Sequence, residues 1–156
     1  MIKKIEAHGS KSGNAFHLET ESLIKEVVVR SGGWVDAIAI KDSKGNGQSA
    51  GGSGGGVATL TLDDDEYIVE ISGTYGHYIG RLHIRTNKGK TGTYGAAHGG
   101  NSAHAFELRA DEGFAIVGLH GTAGSYLNSL GAYVAQIPSV DSPDLPDMSG
   151  SNFPKF

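Results

Sequence analysis

Seven histidines, an Asp63-Asp64-Asp65-Glu66 run and three glycine turns hold the groups with chemistry to offer in this 156-residue chain. Histidine is the natural metal ligand, but no two here share the i, i+4 spacing of a helical zinc site and no cysteine assists them. No metal and no other cofactor is therefore expected. The acidic run lacks the alternating ligands and distal glutamate of a calcium loop and reads as a solvated turn. Gly51 to Gly56 invites comparison with a phosphate cradle, yet no Lys-Ser/Thr follows and no helix opens there. The serines follow no strand-to-helix elbow, so no catalytic residue is assigned and an enzyme is not expected. The turns are Gly32-Gly33-Trp34-Val35-Asp36, Gly76-His77-Tyr78-Ile79-Gly80 and Gly124-Ser125-Tyr126-Leu127-Asn128. They end in a carboxylate, in no side chain and in a carboxamide. An aspartate in such a place, taken alone, reads as a turn cap, because its side chain bonds readily to nearby backbone N–H groups.

The elements that must position these turns come in three copies. Gly32, Gly76 and Gly124 lie 44 and 48 residues apart, a period that marks a repeat architecture. A looser glycine loop opens each unit: His8 to Gly13, Gly51 to Gly56, and His98-Gly99-Gly100. Paired apolar residues at period two follow, Phe16 and Leu18, Leu60 and Leu62, Phe106 and Leu108, as one face of a strand requires. Runs rich in β-branched residues come next, from Leu23, Tyr67 and Phe114, and a strand starting at Val35, Ile79 or Leu127 closes each unit. Glu19 to Ser22, Asp63 to Glu66 and Ala110 to Gly113 recur at one place per unit and are expected to be hairpin tips. No segment carries a helical stripe. All four prolines fall at or after Pro138, so residues 1–137 form the repeat body and 138–156 a Pro/Asp-rich tail or linker.

Composition narrows the function. A net charge of −4 and a pI near 5.9 argue against nucleic-acid binding, which calls for a basic stripe. Without cysteine there is neither disulfide nor thiolate chemistry. No stretch approaches the roughly 18 apolar residues of a membrane helix, so no membrane insertion is expected. Met1 leads into Lys3-Lys4 without an apolar h-region. The printed chain thus carries no secretory signal, leaving a cytoplasmic protein or a part of a larger secreted one.

Val29 to Ile38, Gly51 to Gly55, Asp65 to Ile68, Ile84 to Asn87, Ile116 to Gly121 and Leu127 to Val134 follow one another in an order and spacing that resembles the jacalin-related lectins. The resemblance covers about residues 2–137. It implies an all-β fold, the β-prism I, with three four-stranded antiparallel sheets in pseudo-threefold symmetry. It also implies sugar binding at one end of the prism, where a Gly-x-x-x-Asp turn offers backbone N–H groups and a carboxylate and a neighbouring glycine loop adds another N–H. A carboxylate accepts from two vicinal sugar hydroxyls at once, through charge-assisted bonds about twice as strong as neutral ones.

On this reading Gly33, Trp34, Val35 and Asp36 hold the ligand together with Gly54 and Gly55, the Trp34 indole forming an apolar rim. Gly13 with Ser125, Tyr126, Leu127 and Asn128 makes a second site, weakened or silent because Asn128 has one acceptor and two donors where an acid is usual. If that one residue silenced the repeat, Asn128→Asp returns a second binding site. The third turn has Gly80 in place of the acid, with Tyr75, His77, Tyr78 and the Gly99-Gly100 loop nearby. The expected ligands are glycans containing mannose or glucose, and the family implies a homodimer. The alternative is a protein-interaction or targeting domain, as in a toxin or matrix protein, keeping a vestigial sugar site.

Overall fold

The computed structural model describes residues 2–96 and 103–137. Gly99, Gly100 and the Pro/Asp-rich tail lie outside the described residues. The described residues form twelve strands: β1 (Ile2–Gly9), β2 (Asn14–Leu18), β3 (Ile24–Ser31), β4 (Val35–Asp42), β5 (Gly47–Gly51), β6 (Gly56–Thr61), β7 (Ile68–Tyr75), β8 (Ile79–Thr86), β9 (Thr91–Gly95), β10 (His104–Arg109), β11 (Phe114–Ala123) and β12 (Leu127–Gln136). Among the described residues there is no helix, and none long and apolar enough to cross a membrane.

Period-two patterning accounts for the strands. In β3 the side chains of Val27 and Val29 are fully buried, while Glu26, Val28 and Arg30 alternate with them on the outer face. The equivalent inward residues, Ile71 on β7, Leu82 and Ile84 on β8, Phe106 and Leu108 on β10, Leu130 and Ala132 on β12, meet them in one core. A smaller cluster of Leu23, Ala115, Val117, Tyr133 and Ala135 packs against Ile2, Tyr67 and Ile137. Burial there pushes the Tyr133 phenol up to about 12.

Three Greek keys result. Strands β3 to β6 pair in the order β5-β4-β3-β6, and β7 to β10 repeat it as β9-β8-β7-β10, so the fourth strand of each key returns beside the first. The last key is assembled from both ends of the chain, in the order β1-β12-β11-β2. A single residue pair, Ile116 with Ile68, links it to the β7–β10 key.

This topology corrects two expectations. The polar segments 19–23, 62–67 and 110–113 are not hairpin tips: each leaves the fourth strand of one key and enters the first strand of the next, crossing between sheets. Nor is the acidic run a wholly solvated turn. Glu66 is 1% exposed and reaches across to the β8–β9 connection, accepting from the Asp63 N–H and the Thr86 hydroxyl and pairing with Lys90.

Candidate functional site

The three glycine turns are the β3–β4, β7–β8 and β11–β12 connections, and they touch one another through side chains of Trp34, Tyr78, Tyr126 and Asn128. Their backbone is closed the same way three times: Gly32 N–H donates to the Trp34 carbonyl at 2.9 Å, Gly76 to Tyr78 at 3.1 Å, and Gly124 to Tyr126 at 3.0 Å. Beside each turn the ladder slips by one residue. Arg30 faces Ala37 while Ser31 faces Val35, and the same shift occurs between Thr74 and Tyr75 and between Thr122 and Ala123. Asp36, Gly80 and Asn128 are therefore the extra residues of three equivalent β-bulges. A bulge re-aims the side chain of its unpaired residue.

At Asp36 that side chain is turned toward the β5–β6 loop. A β-carbon on Gly55, whose φ is +76°, would lie 2.7 Å from Asp36 Oδ1 and 2.8 Å from the Ser31 carbonyl oxygen. One on Gly54 would lie 2.9 Å from Asp36 Oδ2. Only glycine lets the loop come this close in that conformation. The loop is pinned by Gly52 N–H on the Asp36 carbonyl at 2.9 Å and by Arg30 Nη1 on the Ser53 carbonyl at 3.3 Å. Ser53 stands at the centre of a Gly51-Gly52-Ser53-Gly54-Gly55 sequence, but a strand follows it, not the helix of a nucleophile elbow.

Asp36 is 7% exposed, and among the described residues its carboxylate accepts no hydrogen bond and pairs with no cation. Buried charges in folded proteins are ordinarily paired. The two other nearly inaccessible carboxylates obey that rule. Asp42 accepts from the Glu21, Lys44 and Asn46 N–H groups, and Glu66 is bonded as described above. Asp36 is thus held in place by its surroundings with no hydrogen-bond donor to its carboxylate among the described residues.

Gly33, Trp34, Val35, Asp36, Gly54 and Gly55 come together as expected. Val35 is fully buried and turned into the core, so only its backbone faces the turn. The second set also assembles: Gly13, with φ of +89°, sits against Asn128 Oδ1, and Ser10 N–H donates to the Asn128 carbonyl at 2.9 Å. There, however, Asn128 Nδ2 donates to the His77 carbonyl of the neighbouring turn at 3.3 Å. In the third turn Gly80 leaves the bulge without a side chain. Two grooves of about 280 and 270 Å³, one lined by Glu26, Ala39, Lys41 and Gln48 and the other by Tyr67, Arg85, Arg109 and Phe114, lie away from Asp36.

Residues 5–133 match the family model of the jacalin-like lectin domain. The chain belongs to the jacalin-like lectin family. This family consists of carbohydrate-binding lectins, not enzymes, and its β-prism is the fold seen here. Among relatives of this lectin domain, a mannose/glucose-specific lectin of Parkia pendula is 37% identical over 139 residues, covering 81% of this chain and 30% of that protein. Jacalin-related lectin 3 of Arabidopsis thaliana is 30% identical, covering 86% of the chain and 24% of that protein. The chain thus spans under a third of either relative. Horcolin of Hordeum vulgare subsp. vulgare is 33% identical, with 84% of this chain and 95% of horcolin covered. Malaysian banana lectin superposes with a TM-score of 0.75 at 27% identity, over 87% of this chain and 99% of that one. Calsepa lectin, solved in complex with a biantennary N-glycan, gives 0.75 at 25% identity over 87% and 97%.

Sequence reasoning missed three features of this lectin's turn face: the bulge, the Arg30 brace, and a row of aromatic rings. Trp34 meets Tyr78 edge-on at 5.5 Å, and Tyr78 meets Tyr126 at 4.7 Å. The signal for the last was present, since all three occupy the third position of their turns.

Proposed function

We propose that this lectin domain binds one mannose- or glucose-type residue at the Gly32–Asp36 turn. The observation that carries the reading is the Asp36 carboxylate, buried and unpartnered among the described residues, held by a bulge against Gly54 and Gly55. Asp36 accepts from two adjacent sugar hydroxyls, in bonds strengthened by its charge. Backbone N–H groups of Gly33 to Val35 and of Gly54 and Gly55 donate to the same or neighbouring oxygens, and the half-buried Trp34 indole borders the sugar's apolar face. The mannose/glucose specificity of the Parkia pendula lectin supports the sugar class. A vestigial site would have no need of an unpaired buried charge, which disfavours the targeting-module alternative.

Calorimetric titration with methyl-α-mannoside tests the reading. One site per chain is expected in the wild type, with no heat in Asp36→Ala and little response to methyl-α-galactoside. A wild type silent toward mannoside, glucoside and a glycan array would overturn it.

A further inference from the structure

We infer that Asn128 is a positioning residue for the Asp36 site, so that the 124–128 turn, which lacks the acid, works as a wall for the turn that has it. The inference rests on the Asp36 reading and concerns how that site is kept in shape. Two contacts run from the 124–128 turn toward it. The Gly52 backbone packs so closely on Ser125 that a β-carbon there would overlap the Ser125 carbonyl oxygen, and Gly52 belongs to the loop that faces Asp36. On the other side Asn128 Nδ2 holds the His77 carbonyl, and the rings run from Tyr126 through Tyr78 to Trp34 at the rim of the site.

Asn128 is 6% exposed, its Nδ2 donates to the His77 carbonyl, and its Oδ1 lies where a β-carbon on Gly13 would come within 2.8 Å of it. An aspartate there presents only acceptors at neutral pH. One of its oxygens would face the His77 carbonyl oxygen across the present 3.3 Å contact, with no proton between them. The substitution that would return a second sugar site, had Asn128 alone silenced the repeat, should instead push the 76–80 and 124–128 turns apart. The wall behind Gly52 and the ring row that ends at Trp34 would shift with them.

Titration of wild type, N128D and N128A with methyl-α-mannoside, with Trp34 emission followed in parallel, decides the matter. Trp34 is the only tryptophan, so its emission reports on the rim of the Asp36 site and not on the 124–128 turn itself. Expected are one site per chain in every variant, affinity weaker by roughly three- to tenfold in N128D and less in N128A, and shifted Trp34 emission in both. Two sites per chain in N128D would overturn the inference, as would unchanged affinity and emission in both variants. Should N128D fail to fold, N128A carries the test alone. If the wild type binds no mannoside, the Asp36 reading falls and the emission shift without sugar still tests the brace.

Discussion

Asp36, Asp42 and Glu66 are alike in being nearly inaccessible and unlike in their company. Burial by itself would raise the Asp42 and Glu66 carboxyls. The backbone N–H bonds to Asp42, and the Thr86 hydroxyl, Asp63 N–H and Lys90 ammonium at Glu66, outweigh it and hold both below the ordinary carboxylate range. Those bonds make them structural. Asp42→Ala strands three N–H donors and is expected to lower unfolding free energy by roughly 2–3 kcal/mol while leaving mannoside affinity intact, as denaturant melts and titration would show. Asp36→Asn is the converse. Removing an unpaired buried charge leaves the melting temperature unchanged or raises it, whereas trading charge-assisted bonds for neutral ones weakens sugar binding about tenfold or more. A large drop in Tm for Asp36→Asn would show that the carboxylate is a turn cap after all.

At the scale of elements, the working unit is a bulged hairpin facing a glycine loop from the same Greek key. Each key closes its first hairpin with the same turn bond and the same one-residue slip, so the bulged hairpin occurs three times, with Asp36, Gly80 and Asn128 at the bulge. The loop matters as much as the acid. Gly55→Ala would place a methyl group against Asp36 Oδ1 and the Ser31 carbonyl in a left-handed conformation that alanine resists. Its expected result is loss of measurable mannoside binding, together with destabilisation by about 1 kcal/mol or more in thermal melts. Gly45→Ala, also at positive φ but in the open β4–β5 turn, should share the destabilisation and spare the binding.

The whole molecule is closed by its two ends, since β1 completes the sheet begun by β11 and β12. His120 secures that closure. Its ring lies over Gly131, and its Nε2 bonds the Ile5 carbonyl at 2.7 Å, next to the irregularity in the β1–β12 pairing. Burial pushes the imidazole below its ordinary value, against the Ile5 carbonyl, which favours the proton. In the unfolded chain His120 takes up a proton below about pH 6.5, which the folded state resists, so stability present above that pH is lost as pH falls. Asp42 and Glu66 act in the same direction from about pH 4 downward, being protonated in the unfolded chain while the fold keeps them ionised. Thermal melts from pH 8 to pH 3 are expected to show Tm falling in two stages, and His120→Gln should remove the upper one. A Tm that rises between pH 7 and pH 5 would contradict this assignment.

The sequence by itself determined the all-β repeat body, the three turns and the acid in one of them. These are local signals: alternation at period two, runs of β-branched residues, and glycines where the chain must bend or come close. Asp36 was singled out because its Gly-x-x-x-Asp turn, set inside the repeat, resembles the turn with which this lectin family binds sugar. The tertiary structure decided what depends on partners far apart in the chain. The polar segments cross between sheets because strand order, and not turn composition, sets where a chain goes next. Glu66 is buried with its charge satisfied because Thr86 at the end of β8, 20 residues away, and Lys90 beyond it reach its carboxylate. The Asp36 carboxylate is left without a donor among the described residues, and Asn128 reaches the His77 carbonyl 51 residues distant, only because the three turns pack together. Bond partners separated that far are chosen by the packing of three sheets on one core, a sum over many contacts that no short stretch of sequence displays.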